Sequence, residues 1–337
     1  MDYQKIKVYT GVLLLACLTK SCDESPLVPK LPDPDEIDSE VSIFLQSFYL
    51  HGLDEDGEKL WKYDGNSAAV YDIAVSHEGL VYSTSGGHRH GEVHKLIPEG
   101  DKIWSYDRHS DSVEGVSVDH EGYIYSASAD GELHKISPKG EQIWVYDDLE
   151  ILVRDVAVDP EGYVYSGTNH SDAYFALHKV SPEGEREWKY RGHDSIIESI
   201  VVDAEGYIYS GSYNELHKLN PDGEVEWVYS GQEAFVYDIA VDTQGNIYSL
   251  SEVNLHKLSP AGEKIWEMGE FIGGDGVAVD IYDNFYLSGY RGRFTKFSPD
   301  KEIKWHLDED EPGRSGITVI PKPIWIQSGW VDPQFKP

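Results

Sequence analysis

Ile200-Val201-Val202-Asp203-Ala204-Glu205-Gly206-Tyr207-Ile208-Tyr209-Ser210-Gly211-Ser212, and after a short gap Leu216-His217-Lys218-Leu219-Asn220-Pro221-Asp222-Gly223-Glu224-Val225-Glu226-Trp227-Val228-Tyr229, is the stretch that decides the fold. It holds four short runs rich in β-branched and aromatic residues: an apolar triplet, Tyr-Ile-Tyr-Ser, Leu-His-Lys-Leu and Trp-x-Tyr. Glu205-Gly206 separates the first two, where glycine accepts the positive φ of a tight hairpin. Pro221-Asp222-Gly223 separates the last two, proline presetting φ at the start of the turn and glycine relieving its end. The stretch reads as four successive strands.

The same pattern recurs along the chain. Trp61, Trp104, Trp144, Trp188, Trp227, Trp266 and Trp305 stand 43, 40, 44, 39, 39 and 39 residues apart, and apolar triplets beginning at Ile73, Val116, Val156, Ile200, Ile239, Val277 and Ile317 keep that step. A period of about 40 residues built from short strands is that of a propeller blade. The expected fold is all-β, a seven-bladed β-propeller of four-stranded blades.

The two ends of the repeat complement each other. Leu50-His51-Gly52-Leu53 and Trp61-Lys62-Tyr63 form a third and fourth strand with no first or second before them. Ile317-Thr318-Val319 and Ile324-Trp325-Ile326-Gln327-Ser328-Gly329 form a first and second strand with nothing after them. One blade is therefore expected to be shared, two strands from each terminus, which leaves no free sheet edge where the ring closes. The expected organisation is a signal and lipobox region over 1–22, an acidic Pro-rich tether over 23–47, the propeller over 48–330 and a short tail over 331–337.

A formal net charge of −33, from 28 basic and 61 acidic residues, argues against nucleic acid as a partner, because phosphate affinity comes mainly from Lys and Arg. The acidic runs Asp54-Glu55-Asp56 and Asp308-Glu309-Asp310-Glu311 lack the ligand spacing and terminal Glu of a calcium loop. No metal is expected there.

Lys5 and Lys7 precede the apolar run Val8 to Leu18, a signal-peptide pattern too short for a spanning helix, which needs about 20 residues. The only two cysteines, Cys17 and Cys22, fall at its end, so no disulfide is possible inside the propeller. Leu14-Leu15-Ala16-Cys17 resembles a bacterial lipobox, and Ser21-Cys22-Asp23-Glu24 resembles a looser version of one. Both cysteines are lipidation candidates, and a lipid anchor is the one membrane attachment expected. The expected location is the bacterial cell envelope, lipid-anchored at the outer membrane or in the periplasm or outside the cell. The stretch from Asp23 to about Gln46, with its prolines and acids, reads as an extended tether that would hold the domain off a lipid surface.

Val-Asp-x-x-Gly-x-Ile-Tyr-Ser-Gly-Ser, then Leu-x-x-Leu, then Gly-Glu-x-x-Trp resembles the pyrroloquinoline-quinone-like (PQQ-like) propeller repeat over residues 50 to 329. The resemblance implies that Trp61 through Trp305 form a structural girdle, each docking on the neighbouring blade. A fully buried aromatic of this size removes about 150 to 250 Å² from water, worth roughly 4 to 6 kcal/mol. The family contains quinoprotein dehydrogenases, which hold the quinone with calcium, and cofactor-free propellers, an outer-membrane assembly lipoprotein among them, which serve as binding platforms. Seven blades and a cysteine-free domain depart from the first class, so no cofactor is expected.

Function is sought in what does not repeat. The connections from fourth strand to next first strand, and from second to third, vary, and in a propeller they share one face. Tyr71, Glu114, Arg154, Glu198, Tyr237, Asp275 and Ser315, each two residues before a triplet, are expected to ring the channel mouth on that face. Stacking faces, carboxylates and one guanidinium suit a sugar, a peptide or a cationic group. His51, His94, His134, His178, His217 and His256 repeat at one register and are read as packing. His88, His90, His109, His170 and His193 do not repeat and fall in variable loops beside Asp111, Asp172 and Asp194, where a metal site is conceivable but none is expected.

The leading expectation is a monomeric, non-enzymatic binding or scaffold protein holding a protein or carbohydrate partner on the variable face. The alternative is a channel-mouth enzyme, a lyase or hydrolase acting through Glu114, Glu198 or Asp275, or a quinoprotein of unusual form.

Overall fold

Each Val-Asp-x-x-Gly turn is organised by its aspartate. Asp203 Oδ1 accepts the backbone N–H groups of Glu205 and Tyr207 at 3.1 and 2.9 Å, while Oδ2 accepts the Tyr209 hydroxyl at 3.0 Å. Asp119, Asp159 and Asp280 hold Tyr125, Tyr165 and Tyr286 in the same way. The repeated Asp and the second Tyr of each Tyr-x-Tyr run are thus two halves of one hairpin clamp, and burial beside that carboxylate pushes these tyrosines far above their ordinary pKa. In blade 5 Lys257 links the two: its Nζ lies 2.8 Å from Asp242 and 2.8 Å from the Tyr248 hydroxyl.

The computed structural model describes residues 43–319 except 47, 77, 88–89, 150–152, 170–174, 270–273, 281, 290–292 and 309–315, together with 326–327 and 330–331. Among them are seven antiparallel four-stranded sheets. Blade 4, for example, runs Ser199–Val202, Ile208–Gly211, Leu216–Leu219 and Val225–Tyr229. We number blades 1 to 6 from the first strands Val70–Val75, Val113–Val118, Val156–Val158, Ser199–Val202, Val236–Val241 and Gly274–Val279. Each first strand packs on that of the next blade, and the first strand of blade 7, Gly316–Val319, packs on that of blade 1, closing the ring.

Blade 7 combines the two termini, but not two strands from each. Its order is Gly316–Val319, Ile43–Gln46, Leu50–Leu53, Lys59–Tyr63. The second strand expected from 324–329 is supplied instead by Ile43–Gln46, whose Phe44 lies between Gly52 and Thr318; residues 326–327 pair with 330–331. The reason is local: a second strand lies inside its blade and must be apolar, and Ile43, Phe44 and Leu45 are all buried. Residues 43–46, expected as the end of the tether, are thus a strand of the propeller.

The blades are joined by a repeated seam. The indole N–H of Trp104 donates to Pro138 O at 3.1 Å, and Lys95 Nζ donates to the same carbonyl at 3.1 Å. Trp144 with Lys135 on Pro182, Trp188 with Lys179 on Pro221, and Trp227 with Lys218 on Pro260 repeat it. Trp305 and Lys296 converge on Glu55 O, carrying the seam across the chain ends. The girdle rings are only half-buried, so each stabilises by less than full burial suggests. Fully buried instead are Tyr82, Tyr125, Tyr165, Tyr209 and Tyr248 of the second strands, with Phe44, Phe285 and Phe294.

A second seam joins fourth to third strands. The hydroxyl of Tyr63, Tyr106, Tyr146, Tyr190 or Tyr229 meets Nδ1 of His94, His134, His178, His217 or His256 of the next blade at 2.6 to 2.8 Å. These five repeated histidines are hydrogen-bonded blade connectors as well as packing.

Candidate functional site

Every first strand enters the ring from the same face, so residues just before the triplets converge on the axis. There they line a cavity of about 380 Å³. Tyr71, Glu114, Arg154, Glu198, Tyr237 and Asp275 all line it; Ser315 lies outside the described residues. Arg154 sits between two carboxylates, with Nη1 3.3 Å from Glu114 and Nε 3.8 Å from Glu198. Ser112 donates to the other oxygen of Glu114 at 2.6 Å. The mouth is thus preorganised around one guanidinium whose charge is already matched.

One residue further along each strand is a layer that the sequence reading passed over. Asp72, Asp155 and Asp238 occupy it in blades 1, 3 and 5, with Gly115, Ser199, Gly276 and Gly316 in the others. Asp155 Oδ1 accepts the N–H of Val156 at 2.7 Å, and Oδ2 that of Ile200, in the next blade, at 2.6 Å. Asp72 bridges Ile73 and Val116, and Asp238 bridges Ile239 and Val277, with the same geometry. Glycine at the neighbouring position is a matter of room: a Cβ on Gly115 would come within 3.0 Å of the Asp155 backbone. Ser199 Oγ adds a contact to Asp238 at 3.4 Å.

The bridging carboxyls face the channel yet lie deep in protein. Burial raises Asp155 and Asp238 to about 7, and burial together with repulsion from Asp155 raises Asp72 well above the ordinary carboxylate range. The signal for these bridges was visible as an Asp before alternate triplets, but their role depends on which way the side chain turns, and strand periodicity does not fix that at the end of a strand.

Among the described residues the unrepeated histidines do not assemble into a metal site. His109 Nε2 meets Ser126 Oγ at 2.8 Å and its ring stacks on His134 at 3.9 Å. His193 spans Ser212 and Ser210 at 2.9 and 2.8 Å and stacks on His217 at 3.9 Å. Both are buried in separate blades rather than displayed in loops, and burial lowers His109 to about 3. Each stands five residues after its girdle Trp, where blade 5 has Gln232 on Ser249. That offset was the missed cue to a shared structural role. His88 and His170 lie outside the described residues. Among the described residues no group of three His, Cys, Asp or Glu is placed to hold a metal ion.

A family model described as outer membrane protein assembly factor BamB matches residues 46–169, which run from blade 7 into blade 3. The match is consistent with a PQQ-like propeller family, the one whose repeat the residues resemble. No curated protein matches the chain.

Proposed function

We propose that this chain is an extracytoplasmic binding or scaffold protein of a bacterial cell envelope, which holds a protein or glycan partner on the variable face around the channel mouth. One observation carries the reading. Whatever recurs from blade to blade is committed to seams and turns, whereas the mouth ring recurs nowhere and faces an open cavity. A PQQ-like propeller suits a scaffold role, and the description of the matching family names a protein-assembly factor of the outer membrane. The carboxylates a hydrolase would use, Glu114 and Glu198, both lean on Arg154, an arrangement that favours recognition over acid–base exchange. The propeller is read as a monomer without cofactor, anchored by lipid on Cys17 or Cys22.

The test is co-purification from chemically cross-linked native envelopes. The variant Tyr71→Ala, Glu198→Gln, Asp275→Asn is expected to lose a partner that the parent retains. An unchanged set of cross-linked partners overturns the reading. Intact mass of the membrane-derived protein, compared among the parent, Cys17→Ser and Cys22→Ser, identifies the lipidated cysteine.

A further inference from the structure

Beside the mouth, blades 4 and 5 carry an aromatic platform that no other blade pair repeats among the described residues. Tyr213, in the loop between the second and third strands of blade 4, forms an antiparallel bridge with Phe235, just before the first strand of blade 5. Two backbone hydrogen bonds clamp the loops together, Asn214 N–H to Ala234 O and Val236 N–H to Ser212 O, both at 3.0 Å. Asn214 holds a left-handed φ of 63° to make this turn, a conformation asparagine tolerates better than most residues.

The clamp fixes the rings. Tyr213 meets Phe235 edge to face at 5.0 Å, and Phe235 lies nearly parallel to Tyr237 at 6.4 Å. Tyr213 is 48% exposed and Tyr237 lines the cavity, so the three rings form a ramp from the outer surface into the mouth. Large rings held out in water by rigid backbone are the usual anchors of a recognition surface. Preorganisation lowers the entropy lost on binding.

The chemistry around the ramp selects the occupant. Exposed Glu252, with Glu198, lines the same cavity as Tyr237, and exposed Glu233 stands two residues before Phe235. Among the described residues, Arg154 is the one cation lining that cavity, and it is matched by its two glutamates. A ligand at the foot of the ramp meets aromatic faces and carboxylates together, which favours an Arg or Lys side chain through cation–π and ionic contacts. Neutral hydroxyls could hydrogen-bond these carboxylates but would leave the charges of exposed Glu233 and Glu252 unmatched, which a cationic side chain would not.

We propose that the Tyr213–Phe235–Tyr237 ramp docks a basic segment of a partner protein, one Arg or Lys of which reaches into the channel mouth. This rests on the binding-platform reading and adds the sector of the face and the chemistry of the partner.

Two measurements on the full chain test it. The first is calorimetric titration with a hexa-arginine peptide, with tetra-N-acetylchitotetraose as the glycan probe. The variant Tyr213→Ala, Phe235→Ala keeps the net charge and is expected to bind the peptide at least tenfold more weakly. Glu141→Gln, Glu185→Gln, on turns of the opposite face, should leave affinity unchanged. Equal affinity of the parent and the aromatic variant, or saturation by the tetrasaccharide alone, overturns the proposal.

The second places a photo-crosslinking residue at 213, or at Ser110 on another sector of the same face, in the native envelope. Adducts at 213 that map to an Arg- or Lys-bearing segment support the ramp. Adducts at 110 but not 213 overturn the ramp and leave the platform reading standing. Adducts at neither overturn both.

Discussion

The Asp155 carboxylate accepts the backbone N–H of Ile200 at 2.6 Å, across the seam between blades 3 and 4, while its other oxygen holds Val156. A carboxyl raised to about 7 by burial binds its proton more tightly when folded than when unfolded. Its contribution to stability is therefore complete below the ordinary carboxylate pKa and is lost as pH rises through about 7, on the order of 4 kcal/mol at most. Asp155→Asn removes one acceptor and should cost about 1–3 kcal/mol at pH 4.5. Because only the parent loses this term on raising the pH, the gap should narrow by pH 8 in urea unfolding. A gap independent of pH would show that Asp155 is not protonated in the fold.

His109 runs the other way. Burial, and then the neighbouring His134, lower it to about 3, so stability present above pH 6.5 is lost on acidification. Gln232 shows that glutamine serves at this position, reaching Ser249 Oγ at 2.8 Å. His109→Gln should cost less than about 1 kcal/mol at pH 7.5 and be about 2–3 kcal/mol better than the parent, relative to that starting point, at pH 4.5. Parallel stability curves across this range would refute the assignment.

Two glycines separate backbone strain from ring packing. Gly245 and Gly262 both have φ of 78°, so alanine at either incurs about 1–2 kcal/mol. A Cβ at Gly245 meets nothing nearer than Pro260 at 3.5 Å, whereas at Gly262 it would lie 2.8 Å from Trp227. Gly262→Ala should be worse than Gly245→Ala by about 1–3 kcal/mol, with a shift in tryptophan fluorescence that Gly245→Ala does not show. Equal losses would mean that the girdle ring yields freely.

Ring closure rests on few residues. A chain ending at Val319 keeps the first strand of blade 7, and one ending at residue 315 removes it along with buried Ile317 and Val319. The shorter chain should be less stable by about 3–6 kcal/mol. Identical urea midpoints for the two would show that the ring does not depend on this strand.

What the sequence revealed was whatever depends on local rules. Gly206 and Pro221 announce turns by their own φ preferences, and Trp61 to Trp305 announce the period, so blade number and the shared seventh blade were legible. The allotment of strands in that blade was not: Ile43-Phe44-Leu45 carries no Tyr-x-Tyr signature, and it is a strand because it fills an interior slot that only the closed ring creates. The mouth residues were found because alignment to the triplets fixes where each strand begins. Asp72, Asp155 and Asp238 were missed because their partners, Val116, Ile200 and Val277, lie some 40 residues away. The pairing of Tyr213 with Phe235 likewise needs two loops of different blades to meet, which no repeat alignment encodes.

Seven is odd, and doublets cannot tile it. The aspartate bridges couple blade 1 to 2, 3 to 4 and 5 to 6, leaving blade 7 as the remainder: beside the axis it meets blade 1 through Gln46 on Tyr71 O at 2.6 Å and Thr318 on Ile73 O at 3.3 Å, with the Trp and Tyr seams farther out. The one blade whose strands come from both termini is also the one that these carboxylates pass over. Parity thus assigns the molecule a preferred place to part: amide exchange should begin in Ile43–Gln46 and reach Val116, Ile200 and Val277 last.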